Sequence, residues 1–139
     1  MKIQIQRRNE AFLMEARNEN GNTLLMDNAA AYATPNQAQG LSPMQLLLAA
    51  IGGCSTIDII SILEKQRQPL VDIQIEIEGA RADTIPKVFE KINLHYTLFG
   101  NLDPEKVRKA IELSLEKYCS VSKMLEKTAE IAYSFSIKN

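Results

Sequence analysis

A helix enclosed by protein on all sides is the feature of this sequence that most limits how the chain can fold. It is predicted within the stretch of residues 40–65, GLSPMQLLLAAIGGCSTIDIISILEK. Ser42 can cap this helix, and Pro43 suits its first position because the N–H that proline lacks would be unpaired there. Residues 46–54 are apolar on every face, which is typical of a helix surrounded by other protein. We therefore predict a core helix that carries the thiol of Cys54.

Two adjacent glycines, Gly52 and Gly53, directly precede Cys54 in this helix. Each costs about 1 kcal/mol relative to alanine inside a helix, so their presence needs a compensating reason. One reason is the close crossing of another helix, and another is an opening for a ligand beside the thiol. The two reasons are compatible with each other.

Length and charge narrow the class of protein. With 139 residues, of which 45% are hydrophobic, the chain suits a single domain, residues 1–139. A net charge of −1 without a basic run argues against nucleic acid as a partner. The first residues alternate instead of forming a signal core, and the longest apolar run, residues 46–51, is too short to span a membrane. We expect a soluble cytoplasmic protein with no membrane partner.

Two cysteines, Cys54 and Cys119, carry the candidate chemistry. A static disulfide is not expected in a reducing compartment, so they are either buried inert thiols or a transient redox pair. With a single histidine, His95, and cysteines far apart along the chain, the sequence shows no zinc-site spacing, and we predict no metal site. His95 falls on the polar side of its strand, which indicates a sheet-surface or helix-facing position.

The other helices and strands are predicted from capping residues, turn residues and the alternation of apolar with polar residues. A second helix opens at Asp103-Pro104-Glu105 and delivers Cys119 at its end, before another short helical piece. Residues 27–41 read as an irregular connector. Strands are predicted over residues 2–7, 11–15, 22–26, 71–78, 88–99 and 129–137. This order predicts an α+β fold in which helices pack on antiparallel sheet. Because one small sheet cannot cover so apolar a first helix, we also predict a homodimer.

Two motifs in their helical context carry a family likeness: SPMQLLLAAIGGCS in the first helix and EKYCSVSKML after the second. With the strand pattern between them, nearly the whole chain resembles the OsmC/Ohr superfamily, specifically its OsmC-like branch. The resemblance implies an intertwined homodimer in which antiparallel sheets from both chains wrap around two long central helices. It also implies that the sites lie at the subunit interface.

The resemblance further implies a peroxidase that serves in the oxidative stress response. Cys54 would be the peroxidatic thiol and Cys119 the resolving thiol, with electrons supplied by a dithiol reductant such as a lipoylated protein or by a small thiol, and with no cofactor. Apolar residues around the first thiol suit an organic hydroperoxide better than hydrogen peroxide. The residues predicted to line its pocket are Met44, Leu47, Ile51 and Asp58.

Stabilisation of the thiolate is where this sequence departs from the family. Cys54 lies too deep in its helix for the helix dipole to serve, so a cation is needed. In the peroxidase branches this is an arginine held by a glutamate directly after the proline that starts the helix. Met44 replaces that glutamate here. Arg17 is nearest in position to the family arginine, and Arg7 or Arg8 could substitute for it.

Asp58 and Met44 leave alternatives open. Asp58 lies one helical turn after Cys54, where it could hold a cation or a water, or serve as an ordinary surface carboxylate. The change at Met44 favours a second hypothesis from another class of protein. In that hypothesis the chain is a dimeric binding protein whose apolar interfacial pocket takes a small hydrophobic molecule, and the thiols are incidental.

Overall fold

The computed structural model describes residues 1–139, which form two compact units, Met1–Leu47 and Leu48–Asn139. Each unit contains one three-stranded sheet. The predicted α+β class is therefore confirmed, whereas the single domain over residues 1–139 stays a prediction.

The amino-terminal unit begins with an antiparallel meander in the order β1-β2-β3. Its strands are Ile3–Arg7, Met14–Asn18 and Thr23–Met26. The second strand was predicted to start at Ala11, and this is wrong. The Asn9 side-chain oxygen accepts hydrogen bonds from the backbone N–H groups of Ala11 (3.0 Å) and Leu13 (3.1 Å), which curls this stretch into a loop. The turn after β2 is as predicted, with Gly21 at φ +85°.

The connector after β3 is more ordered than the predicted irregular segment. It contains two short 3₁₀ turns, Ala29–Ala31 and Pro35–Gln37. The buried carboxylate of Asp27 organises them, accepting hydrogen bonds from the backbone of Asn28 (2.8 Å) and Gln39 (3.0 Å) and from the Tyr32 hydroxyl (3.0 Å). The Gln39 and Asn28 N–H groups and this hydroxyl lower the pKa of Asp27.

The long helix α1 covers Pro43–Lys65 and begins as the sequence predicts. The Ser42 hydroxyl accepts the Gln45 N–H at 3.2 Å, and the Gln45 side chain accepts the Ser42 N–H at 2.8 Å. This reciprocal arrangement is a capping box, and it satisfies two N–H groups that a helix start leaves unpaired.

Within one chain helix α1 is buried on one face only, and burial of its other faces by a second copy stays a prediction. Ile51, Ile59 and Leu63 are completely buried, whereas Leu47 is 39% and Ile57 is 68% exposed. The helix is also long and apolar enough to cross a membrane, although its longest apolar run alone is too short to do so. Of its most apolar 18-residue window, 28% is buried in the structure. The core helices of soluble proteins meet the same test, so the finding does not assign a membrane. It does identify an apolar surface that needs a cover.

The carboxy-terminal unit builds the second sheet from β4 (Asp72–Arg81), β5 (Phe89–Phe99) and β6 (Glu130–Lys138). β4 and β5 form the predicted antiparallel hairpin, but β6 runs parallel to β5. A parallel neighbour requires a crossover connection, and here α2, a π turn and α3 supply it. These are Pro104–Leu113, Ser114–Tyr118 and Ser120–Leu125.

Gly52 allows α1 to lie close against this sheet. A Cβ atom at Gly52 would lie 2.5 Å from Cδ1 of Ile77 in β4, whereas a Cβ at Gly53 would meet nothing within 4 Å. The first glycine therefore serves close packing, as one reading of the sequence proposed, although its neighbour is a strand and not another helix. The second glycine leaves open space beside Cys54.

Candidate functional site

Three potential ligand or nucleophile side chains meet in the carboxy-terminal unit. The Sγ atoms of Cys54 and Cys119 and a carboxylate oxygen of Asp58 all lie within 4.8 Å of one another. Cys54 and Asp58 share a face of α1 because they are four residues apart. The sequence led us to expect Cys54 and Cys119 as a pair and Asp58 on the helix face of Cys54, and the fold brings all three side chains together.

A π turn and the hydrogen bonds that follow it fix the position of Cys119. In the segment Ser114–Tyr118 the Cys119 N–H donates to the Ser114 carbonyl at 2.7 Å, five residues back, instead of four as in an α-helix. The Ser122 N–H then donates to the Cys119 Sγ at 3.4 Å. The Ser122 hydroxyl also donates to the Leu115 carbonyl at 2.6 Å.

The two thiols differ in exposure. Neither forms a disulfide, and Cys119 is completely buried whereas Cys54 is partly exposed. Burial raises the pKa of the Cys119 thiol, and the adjacent Cys54 sulfur raises it further, against the opposing N–H of Ser122. Cys119 is therefore a protonated thiol at neutral pH, and Cys54 is the sulfur that a solute can reach first.

Buried hydroxyl groups attach the site to the sheet and to the second helix. The Tyr96 hydroxyl of β5 donates to the Ser55 Oγ at 2.8 Å, and Ser55 donates to the Gly52 carbonyl at 3.1 Å. From the other side, the Ser114 hydroxyl lies 3.0 Å from Oδ2 of Asp58. Burial raises the pKa of Tyr96 to about 12, so it stays a neutral donor. Ser114 therefore contacts both parts of the cluster, Asp58 through its hydroxyl and Cys119 through its carbonyl.

A pocket of about 350 Å³ opens beside the cluster and shares Asp58 with it. Its walls combine apolar side chains with one lysine; they are formed by Asp58, Ser61, Ile62, Lys65, Gln66, Leu113 and Tyr118. Of the four residues predicted to line a pocket, Asp58 does so here. Ile51 is completely buried in the core and Leu47 faces solvent, while Met44 is half-buried in the first turn of α1. Ile51 lies on the face of α1 that is buried within the chain, and the places of Met44, Leu47 and Ile51 in an interfacial pocket stay predictions.

Arg17 lies in the amino-terminal unit, on β2, and is paired with a carboxylate that the sequence analysis missed. Its Nη2 atom lies 3.0 Å from Oε1 of Glu15, and Nη2 of Arg8 lies 2.6 Å from the same oxygen. The Arg8 and Arg17 guanidinium groups hold the pKa of Glu15 below its usual value. The two-residue spacing of Glu15 and Arg17 along one face of a strand was the available signal.

His95 lies on the outer side of β5, between the buried Leu94 and Tyr96. Its ring Nδ1 is 2.7 Å from the Ser134 Oγ on β6. The sheet-surface position expected from its place in the strand is therefore confirmed. The hydrogen bonds of His95 go to serines of β6 and to no residue of the thiol cluster.

Comparisons with known proteins agree on one family. The sequence profile of the family described as OsmC-like protein matches residues 35–134. The chain is 42% identical over 118 residues to Protein YhfA of Escherichia coli K12, which covers 84% of each chain. A hypothetical protein from Aquifex aeolicus VF5 superposes with a TM-score of 0.81 at 30% identity, covering 99% of this chain and 97% of that one.

A more distant structural neighbour has a name that refers to a function. It is an organic hydroperoxide resistance protein OsmC from Legionella pneumophila, with a TM-score of 0.72 and 17% identity over 98% of this chain and 97% of that one. At this identity the likeness concerns the fold alone.

Proposed function

Because this chain belongs to the family of OsmC-like proteins, we propose that it is a redox protein that reduces organic hydroperoxides with Cys54 and Cys119. The observation that carries the proposal is the meeting of the two free sulfurs, one partly exposed and one buried. Membership of the family supports a redox role related to peroxides. The name of the Legionella protein is consistent with that role, although it describes that protein and not this one.

In the first step Cys54 acts as the peroxidatic thiol. Its thiolate sulfur attacks the terminal oxygen of R–O–O–H, and the O–O bond breaks. The leaving alkoxide takes a proton and departs as the alcohol, while Cys54 becomes a sulfenic acid. Partial exposure supports this assignment, since the completely buried Cys119 offers no surface to a peroxide.

In the second step Cys119 resolves the sulfenic acid. Its sulfur attacks the sulfur of Cys54, the S–O bond breaks, and water leaves with the Cys119 proton, so that a disulfide forms. The two Sγ atoms lie within 4.8 Å, so a small movement suffices. An external dithiol, such as a lipoylated protein, or a small thiol then returns both cysteines to thiols and is itself oxidised to a disulfide. None of these steps calls for a cofactor.

Arg17 is our candidate for stabilising the thiolate of Cys54, with Arg8 as the substitute. The support is Glu15, which binds both guanidinium groups and can orient them. In this chain Glu15 would do what the family glutamate at the position of Met44 does in the peroxidase branches. The arginine would therefore keep a carboxylate partner, Glu15, even though Met44 replaces the family glutamate.

Two apolar surfaces, the walls of the pocket and the exposed face of α1, support the proposed substrate and the proposed dimer. The pocket beside Asp58 has Ile62, Leu113 and Tyr118 in its walls, which favours an organic hydroperoxide over hydrogen peroxide. The exposed apolar face of α1, with Ile57 68% exposed, supports a homodimer in which a second copy covers the helix. We keep a cytoplasmic location as part of the proposal, on the expectation from the sequence alone.

The alternative is a dimeric binding protein for a small hydrophobic molecule, with weak or no peroxidase activity. Met44 in place of the glutamate and the apolar walls of the pocket favour it. Native mass spectrometry of the purified protein checks it, because a binding protein would retain a small molecule that organic solvent extracts. A pocket that is empty in the purified protein and binds no apolar probe would contradict this alternative.

The decisive experiment for the peroxidase adds one equivalent of cumene hydroperoxide to the reduced protein and follows the products by mass spectrometry. The wild type should form the disulfide between Cys54 and Cys119. Cys119→Ser should stop at a sulfenic acid that dimedone traps on Cys54, and Cys54→Ser should give neither product. If the wild type stays reduced while an established hydroperoxide reductase reacts, the proposal is wrong.

Arg17→Ala tests the cation, with Arg8→Ala as its matched comparison because both arginines pair with Glu15. Loss of a charged hydrogen bond, worth about 1.5–3 kcal/mol, should slow disulfide formation roughly 10- to 100-fold. The larger effect identifies the arginine that acts. Unchanged rates in both variants would remove arginine from the mechanism.

A further inference from the structure

Asp58 is the member of the cluster that the thiol steps leave unused. Its carboxylate oxygen lies within 4.8 Å of both sulfurs, and it is itself partly buried. The proposed attack on a peroxide and the closure of the disulfide assign no role to this carboxylate. A carboxylate positioned beside two thiols therefore calls for a separate explanation.

Two thiolates and one carboxylate form a ligand set that suits a borderline-soft divalent ion. Zinc takes sulfur at about 2.3 Å and carboxylate oxygen at about 2.0–2.2 Å, usually in tetrahedral geometry. Tetrahedral ligands at these lengths lie roughly 3.5–4 Å apart. The three donor atoms lie no more than 4.8 Å apart, so each pair is within about an ångström of the separation that such an ion requires.

The residues around the three donors are hydrogen-bonded as the partners of metal ligands commonly are. The Ser114 hydroxyl contacts Oδ2 of Asp58 at 3.0 Å, which leaves the other carboxylate oxygen free. The Ser122 N–H contacts the Cys119 Sγ at 3.4 Å, and the Ser114 carbonyl fixes the Cys119 backbone at 2.7 Å. Cys54 and Asp58 are spaced by one turn of the rigid helix α1.

We propose that the reduced protein binds one divalent ion of the zinc class through Cys54, Asp58 and Cys119, with the fourth position left to water or another small ligand. Both thiols lose their protons on binding, and the two protons pass to solvent. The ion and the disulfide use the same sulfurs, so each excludes the other. Bound ion would protect the cysteines from oxidants. Binding requires only reduced thiols and is independent of the proposed peroxidase activity.

The test titrates the full chain, reduced with a phosphine and kept free of oxygen, with cobalt(II). One equivalent should give the thiolate-to-cobalt charge-transfer band and the visible bands of tetrahedral cobalt, and zinc should abolish both by displacement. Cys54→Ser and Cys119→Ser should each weaken the charge-transfer band. Asp58→Asn should lower cobalt affinity by more than the roughly 10- to 100-fold that loss of an outer-shell partner of a metal ligand costs.

Asp83→Asn is the matched control, since Asp83 is exposed and outside the cluster, and it should leave the titration unchanged. Far-ultraviolet circular dichroism of each variant verifies that it is folded. Protection is measured separately, as the rate at which diamide closes the disulfide with and without one equivalent of zinc. The proposal is overturned if no charge-transfer band appears, if Asp58→Asn binds cobalt as the wild type does, or if zinc leaves the diamide rate unchanged.

Discussion

The buried hydroxyl pair of Tyr96 and Ser55 should respond asymmetrically to removal of either partner. Tyr96 is completely buried, and its hydroxyl donates to the Ser55 Oγ at 2.8 Å. Ser55 is also completely buried, and it donates onward to the Gly52 carbonyl at 3.1 Å. We consider Tyr96→Phe, Ser55→Ala and the double variant.

The magnitudes follow from what each variant leaves behind. Tyr96→Phe removes one hydrogen bond but leaves Ser55 paired with Gly52, so it should cost about 0.5–1.5 kcal/mol of unfolding free energy. Ser55→Ala leaves the Tyr96 hydroxyl buried without an acceptor, and such an orphaned group costs about 1–3 kcal/mol. In the double variant no orphan remains. Its cost should therefore fall below the sum of the two single costs by more than about 0.5 kcal/mol.

Urea unfolding under reducing conditions measures these differences. All variants are compared at one protein concentration, because the stability of the proposed dimer would depend on it. Tyr133→Phe is the control for removing a tyrosine hydroxyl without leaving an orphan: its hydroxyl contacts Glu112 at 2.8 Å in a half-buried position, where water can take its place. The reasoning is refuted if Ser55→Ala costs no more than Tyr96→Phe, or if the two single costs add.

Three further predictions concern the backbone and pH. Gly53→Ala should stabilise the isolated chain by up to about 1 kcal/mol, because alanine has the higher helix propensity. In Gly52→Ala, crowding of Ile77 by the new Cβ should offset or exceed that gain. Thermal unfolding of both variants measures the difference, and equal effects would contradict the packing argument. Burial raises the pKa of Tyr96 from an ordinary 10 to about 12 in the folded state, so its contribution to stability is complete below pH 10 and is lost as the pH rises to 12. Unfolding experiments between these pH values should show the free energy of unfolding fall by up to about 3 kcal/mol. Tyr96→Phe should lack this fall. The lowered pKa of Asp27 contributes stability at pH values above its ordinary pKa of 3.8, and this contribution is lost as the pH falls through the folded-state pKa. In Asp27→Asn the free energy of unfolding should therefore decrease less between neutral and acid pH than in the wild type. An unchanged decrease would refute the role of that carboxylate.

Local signals in the sequence were enough for the elements of the fold. Ser42 and Pro43 mark the start of α1, and Asp103 caps α2 by accepting the Glu105 N–H at 2.9 Å. These features depend on neighbours a few residues away, which is why they can be read from the chain. The loop organised by Asn9 is equally local, but its side-chain hydrogen bonds compete with a strand pattern that looked continuous.

Features that depend on tertiary packing could not be read in this way. The parallel direction of β6 follows from the crossover by α2 and α3, and alternation within a strand carries no information about direction. The spacing of Cys54 and Asp58 indicated a shared helix face, yet only the fold brings Cys119 to it. The burial of Ile51 within the chain could not be predicted either, because an all-apolar helix gives no sign of which face the sheet covers.

The π turn before Cys119 makes the position of this sulfur a matter of residue count. The turn contains one residue more than an α-helical turn needs, since the Cys119 N–H reaches back five residues to Ser114. Deleting a single residue within Ser114–Tyr118 would restore α-helical phase and rotate whatever follows by about 100° around the helix axis. Composition would hardly change, yet the second cysteine would point away from the first. Among relatives, the length of this segment is thus as informative about a working thiol pair as the presence of the cysteines.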